Sequence, residues 1–259
     1  VPPGPPGTEA ARLGDALNAM IDADAATRER MRRFVADASH ELRTPLTTLQ
    51  GYAALHTGRA GSPTAAVAEG RGTADAMRDA MRRIGDEAAR MRRLVDGLLD
   101  LARLDDLGAL AVEPVDLGVL VRDVACDLRV VAPDRVVTVE APGSLVVRGD
   151  RDRLTQAIVG LTSNAVRHTP PGTPVGLRVT EGDAVVRVDV ADTGPGIPPE
   201  HLSHVFERFH RVDSGRSSTT GGTGLGLAIV EAIARAHGGS VTVTSEVGRG
   251  STFTITLPR

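Results

Sequence analysis

Apolar residues follow two different periods along this chain. Leu13, Leu17 and Met20 begin one stripe, and Met31, Val35, Ala38, Leu42, Leu49 and Tyr52 continue one at steps of three and four, with Pro45 in the slot between Leu42 and Leu49, the spacing of one helical face. Pro45 lies inside the second run; a proline there removes a backbone hydrogen bond and predicts a kink. Residues 1–7 are rich in Pro and Gly and predict an extended start, with Thr8 capping the first helix. Residues 56–73, dense in Gly, Ser, Thr and Pro, predict the loop of a helical hairpin. Met77, Met81, Ile84, Ala88, Met91, Val95, Leu98 and Ala102 then form the clearest periodic signal, a repeat of about 3.5 residues that marks a bundle seam. Two such helices carry more apolar surface than they bury on each other, so a homodimer closing a four-helix bundle is predicted.

After Asp106 the period changes. Runs rich in β-branched residues at Val136–Glu140, Leu145–Val147, Val175–Thr180, Val185–Val190, Ser240–Ser245 and Thr252–Leu257 alternate with helical runs at Leu117–Val130, Arg151–Arg167, Pro199–Phe209 and Gly224–His237. Interleaved helices and strands, partly paired as hairpins, predict a layered sandwich. The fold class is therefore α+β: an antiparallel helical hairpin followed by an α/β sandwich.

Composition narrows the function. A net charge of -3 argues against a protein that coats nucleic acid, and with no Trp and one Tyr the chain offers few platforms for stacking bases. Cys126 is the one cysteine, so no internal disulfide forms, which suits a reducing compartment. No stretch approaches the roughly 18 apolar residues of a membrane span, and the Pro-rich start lacks the regions of a signal peptide; the chain as given is expected to be soluble. Lys is absent, which excludes a Walker-type Gly-Lys-Ser/Thr loop.

Three segments carry candidate chemistry. If Ala38 and Leu42 face the seam, His40 points to solvent, with Thr44 one turn along the same face and Glu41 adjacent. An exposed imidazole is largely neutral at pH 7 and keeps a lone pair that can attack phosphorus. Asp192–Ile197 reads DTGPGI, and Gly221–Leu227 reads GGTGLGL ahead of an apolar helical run. Backbone amides and a helix N-terminus could meet phosphate oxygens there, although glycine clusters alone more often mark plain turns.

Ser39–Leu46, SHELRTPL, resembles the phosphoacceptor box of bacterial sensor histidine kinases. The resemblance implies that His40 is phosphorylated, that Glu41 is its general base, and that Thr44 positions water for dephosphorylating the partner protein. Both glycine segments resemble the ATP-binding motifs of the family that joins these kinases with DNA gyrase and chaperone ATPases. On that resemblance Asp192 hydrogen-bonds the adenine amino group, Gly194 and Gly196 let the chain pass close to the base, and Gly222, Gly224 and Gly226 close over the phosphates beside a lid at residues 212–220. RDRLTQAIVGLTSNAVRHTP, from Arg151, resembles the family's asparagine box, which makes Asn164 the Mg²⁺ ligand and brings Arg167 and His168 to the phosphates. VFERFHRVD, from Val205, resembles the phenylalanine box, with Arg211 as a γ-phosphate contact. Gly160 departs from the pattern, standing where the family often has a second asparagine, and Arg167 stands where lysine is common.

The implied organisation is a linker and helical remnant of a membrane-proximal signalling module over 1–28, a dimerisation and phosphotransfer hairpin over 29–107, and an ATP-binding domain over 112–259. The implied activity is phosphorylation of His40 from Mg-ATP, transfer to an aspartate in the receiver domain of a response regulator, and dephosphorylation of that regulator. No direct contact with nucleic acid is implied. The implied location is the cytoplasmic face of the bacterial membrane, reached through N-terminal segments not present in this sequence. Two other readings stay open here: an ATPase of the same fold that drives a conformational clamp, and a degenerate kinase that serves as a dimeric nucleotide sensor.

Overall fold

The structure, a computed structural model, describes residues 12, 14–22, 35–36, 38–39, 41–43, 45–47, 49–51, 73–105, 110–211 and 223–259. These fall into two compact units, Val1–Met91 and Arg92–Arg259.

In the first unit, residues 12 and 14–22 and every described position from 35 to 51 are helical. Pro45 is itself helical and buried. Ser39 Oγ donates to Val35 O at 2.7 Å and Thr47 Oγ1 to Arg43 O at 2.9 Å, so both hydroxyls are satisfied within the helix. The return helix, α1 (Thr73–Asp105), is 33 residues long and crosses the division between the units. It is rich in Ala, Leu, Met and Arg, all strong helix formers, and Asp79 pairs with both Arg82 and Arg83 one turn on. Of the described positions on the predicted seam, Ile84, Met91 and Leu98 are partly buried within this chain. Ala80, Leu94 and Leu101 are buried, whereas Met77, Met81 and Val95 are exposed.

In the second unit, a short antiparallel pair joins β1 (Glu113–Asp116) to β3 (Val146–Gly149). The main sheet has the order β2-β4-β5-β7-β6, from β2 (Val137–Glu140), β4 (Val175–Glu181), β5 (Val185–Asp192), β7 (Gly250–Pro258) and β6 (Ser240–Glu246). Only β2 and β4 run parallel; the other pairs are antiparallel. Val175, Leu177 and Val179 of β4, Val186, Val188 and Val190 of β5, and Phe253, Ile255 and Leu257 of β7 are buried at alternate positions, the period that directs one face of a sheet to a core. Against them pack α2 (Leu117–Val131), α3 (Arg151–His168) and α5 (Gly226–Ala236), through residues such as Leu120, Ile158, Leu161 and Ile233. The result is the predicted two-layer sandwich, with helices on one face of the sheet.

Asp116 and Asp150 start two of those helices. Asp116 accepts from the Gly118 and Val119 amides at 2.8 and 3.2 Å, and Asp150 from the Arg153 amide at 3.1 Å, satisfying donors that an uncapped helix leaves open. His237, buried just past α5, accepts from the Asp150 amide through Nε2 at 2.9 Å while Nδ1 donates to Ile233 O at 2.8 Å. The end of α5 is thereby tied to the start of α3.

Two local expectations differ from the structure. β1 was not predicted, since EPVD is short and contains a proline; it forms because Val115 enters the core and the strand pairs with β3. The helix expected over Pro199–Phe209 runs only from Pro199 to Leu202, which is α4. Beyond it the amides of His204, Glu207 and His210 each bond three residues back, and Phe209 takes a left-handed φ of 64°. That conformation cannot continue a right-handed helix.

Candidate active site

The end of β5 brings the first group of predicted residues together. Asp192 is the last residue of the strand and is half-buried. Its Oδ1 accepts from the Gly194 amide at 2.8 Å. Burial pushes the Asp192 carboxyl above its ordinary value of 3.8, against the opposing pull of the Gly194 and Ser251 amides and the positive charges of Arg135 and His168. A Cβ built on Gly194 would lie 2.4 Å from Thr169 Cγ2, so glycine is required where the loop presses on the end of α3. Gly196 has a φ of +72°, and a Cβ there would lie 2.2 Å from Glu246 O. Two hydrogen bonds fasten this loop to the β6–β7 hairpin: Gly248 N to Pro195 O and Ile197 N to Ser245 Oγ, both at 2.8 Å.

Helix α3 supplies the second group. Its buried side carries Leu154, Ile158, Leu161 and Ala165, which leaves Asn164, Arg167 and His168 near its C-terminal end on or toward the exposed side. Spacings of three and four residues put Asn164 on one face with Arg167 and His168. The Asn164 amide is partly exposed and, among the described residues, has no hydrogen-bond partner. Its oxygen suits a hard cation such as Mg²⁺, which takes few protein ligands and keeps waters or phosphates. Among the described residues no group of three or more His, Cys, Asp or Glu side chains is placed to hold a metal. Gly160, which departs from the resemblance, has a packing role: a Cβ there would lie 3.0 Å from Val230 Cγ2 of α5.

The third group surrounds the start of α5. Gly224 has a φ of +71°, and a Cβ on it would lie 2.6 Å from Phe209 Cα. The Phe209 amide donates to Gly224 O at 2.8 Å, so the two ends of the segment 210–223 are joined at their base. Arg211 is partly buried. Helix α5 begins at Gly226 with Leu225 in the cap position, no side-chain cap hydrogen bond among the described residues and no acidic residue in the first turn. Such an end keeps donors and a partial positive charge for an anion.

Of the predicted phosphoacceptor residues, Glu41 is helical and partly buried. His40, Thr44, Gly222 and the expected lid at 212–220 lie outside the described residues. Sequence reasoning missed Arg135, Thr169 and the β6–β7 turn as supports of the Asp192 loop. The one available signal was the asparagine-box segment itself, which continues into Thr169; Arg135 looked like any surface arginine in a turn.

Two families match in tandem. Residues 30–107 match the "His Kinase A (phospho-acceptor) domain", and residues 149–259 match the "Histidine kinase-, DNA gyrase B-, and HSP90-like ATPase". The probable sensor histidine kinase TcrY of Mycobacterium tuberculosis is 44% identical over 261 residues, covering 98% of this chain and 52% of TcrY. Full-length ShkA, solved in complex with AMPPNP, is 30% identical with a TM-score of 0.59, covering 88% of this chain and 45% of ShkA. The histidine kinase ThkA, solved in complex with the response regulator protein TrrA, shares the fold, with 21% identity and a TM-score of 0.69 over 92% of this chain and 66% of ThkA. The chain thus spans about half the length of TcrY, and among the described residues no helix is long and apolar enough to cross a membrane. With a phosphoacceptor domain ahead of an ATP-binding sandwich in one chain, the protein belongs to the bacterial two-component sensor histidine kinases.

Proposed function

We propose that this chain moves the γ-phosphoryl group of ATP onto His40 and passes it to an aspartate in the receiver domain of a response regulator. The observation that carries this reading is the pairing of a half-buried carboxylate, Asp192, with glycines that admit no Cβ, in the same unit as a helix whose first turn has no side-chain cap among the described residues. The carboxylate is suited to accept from an adenine amino group and the helix end to hold phosphate. Arg167, His168 and Arg211 add positive or hydrogen-bonding groups for the triphosphate, and Gly222, Gly224 and Gly226 border it. Asn164 would hold Mg²⁺, which offsets charge on the phosphates when bound.

The transfer balances simply. A ring nitrogen of His40 forms a bond to the γ-phosphorus, the bond from that phosphorus to the β–γ bridging oxygen breaks, and ADP leaves. Glu41 accepts the proton of the other ring nitrogen, which keeps the imidazole nucleophilic. Thr44 would orient the water that hydrolyses the regulator's aspartyl phosphate. The working unit is a homodimer built on the 29–107 hairpin, with 112–259 as the ATP-binding domain and 1–28 as the remnant of a module leading to the membrane, so that the reaction takes place at the cytoplasmic face. The exposed Met77, Met81 and Val95 support a second chain on the predicted seam, and the ThkA–TrrA complex supports a regulator as partner.

The test is incubation with γ-labelled ATP and Mg²⁺, comparing the chain with His40→Gln. Acid-labile, base-stable label on the parent alone is the expected result. Release of labelled phosphate with no protein label would replace it with an ATPase, and bound ATP with neither label nor release would replace it with a nucleotide sensor.

A further inference from the structure

Arg135 lies in the turn between α2 and β2 and is only 8% exposed. A buried guanidinium is costly unless its donors are matched, and here four bonds match the donors of its two terminal nitrogens. NH1 donates to Thr169 Oγ1 at 2.6 Å and to Thr173 O at 3.2 Å; NH2 donates to Val166 O at 2.9 Å and to Thr169 O at 3.1 Å. Three of these acceptors lie at the C-terminal end of α3, where helix carbonyls lack partners and a cation is favoured. The neighbouring Asp134 accepts from the Gly172 amide at 2.9 Å, so the same turn holds the 169–173 loop at a second point.

Thr169 is the connecting piece. It is buried, its hydroxyl accepts from Arg135 and donates to Ala165 O at 2.7 Å, and its methyl group fills the space that a Cβ on Gly194 would need. The Gly194 amide in turn holds Asp192 Oδ1. We propose that Arg135 is a positioning residue for adenine recognition: by fixing Thr169 against Gly194, it sets where Gly194 holds the Asp192 carboxylate. This rests on the reading of Asp192 as the adenine contact. A second link runs through charge, because Arg135 opposes the effect of burial and favours the ionised form of that carboxylate.

The chain from Arg135 to Asp192 reaches the base end of the nucleotide and no reacting atom, so its effect falls on nucleotide affinity and base choice. Calorimetric titration of the full 259-residue chain with the non-hydrolysable analogues of ATP and GTP tests it, together with the maximal rate and half-saturating ATP for labelling of His40. In Arg135→Met, affinity for the ATP analogue is expected to fall by about tenfold or more, since small displacements of a recognition group carry effects of this order, and preference over the GTP analogue falls with it. The maximal labelling rate stays within about twofold of the parent. Arg135→Lys is expected to rescue only part of the preference, because one ammonium cannot reproduce the forked donor set. Thr169→Val keeps the shape and loses the hydroxyl link, and should shift affinity the same way if Arg135→Met fails to fold.

A merely structural arginine predicts a lower melting temperature and a smaller active fraction, with affinity and base preference per folded molecule unchanged; that result in Arg135→Lys and Thr169→Val overturns the inference. If the parent itself binds no ATP analogue, the reading of Asp192 falls first and the inference with it. If the parent binds and discriminates while the variants match it, the inference alone fails.

Discussion

Replacing Gly196 with Ala tests the glycine loop most directly, because two separable effects meet at one residue. Its φ of +72° is one that an L side chain occupies at a cost of about 1–2 kcal/mol. The added Cβ would also lie 2.2 Å from Glu246 O and 3.0 Å from Val247 Cα, backbone atoms that cannot rotate away. Separating the loop from the hairpin puts at risk the bonds Gly248 N to Pro195 O and Ile197 N to Ser245 Oγ, each worth about 0.5–1.5 kcal/mol. The expected loss is therefore about 2–5 kcal/mol, a large part of the about 5–15 kcal/mol that holds a typical domain folded. Gly143→Ala supplies the comparison: the φ is again +72°, but nothing lies within 4 Å of the added Cβ, so only about 1–2 kcal/mol should be lost. Urea unfolding followed by far-ultraviolet circular dichroism suits a chain with no Trp and one Tyr. If Gly196→Ala is no more destabilised than Gly143→Ala, the argument that backbone contact, rather than φ alone, demands glycine in this loop is wrong.

Three further outcomes are expected. Burial raises the Asp192 carboxyl above its ordinary 3.8, and the ionised form is the stronger acceptor for the adenine amino group proposed to bind there, so affinity for the ATP analogue should be level near neutral pH and fall on acidification sooner than an ordinary aspartate would dictate. Titrations across that range check it, and affinity that holds steady down to about pH 4, the ordinary aspartate range, would refute it. Gly224→Ala places a Cβ 2.6 Å from Phe209 Cα and breaks the base of the 210–223 segment; labelling of His40 should slow by about tenfold or more, measured at saturating ATP. Gly160→Asn, which restores the family's second asparagine, should lower stability without speeding labelling. Overpacking against Val230 costs about 1–3 kcal/mol, while removing a mid-helix glycine returns about 0.5–1 kcal/mol.

The motifs and most elements were legible before the fold, because local signals define them. The seven-residue spacing of α1 and the β-branched runs of β4 and β5 each act within a turn or a strand. DTGPGI and GGTGLGL were readable for the same reason: glycine at close spacing reports a backbone need at its own position.

Other features depend on residues far apart in sequence. Strand β1 exists because β3 pairs with it, and the helix expected past Leu202 gives way to turns where Phe209 meets Gly224. The need for glycine at 194 comes from Thr169, and at 196 from Glu246. Arg135, outwardly a turn arginine, is buried because the end of α3 and the loop after it close over it with carbonyls from three residues. The sequence alone therefore determined most of the elements that form and where the glycine motifs fall on them, since periodicity and motif spacing are local. Only the tertiary structure decided which groups press on one another, and thus which arginine supports Asp192, because burial and long-range hydrogen bonding arise when separated segments share one core.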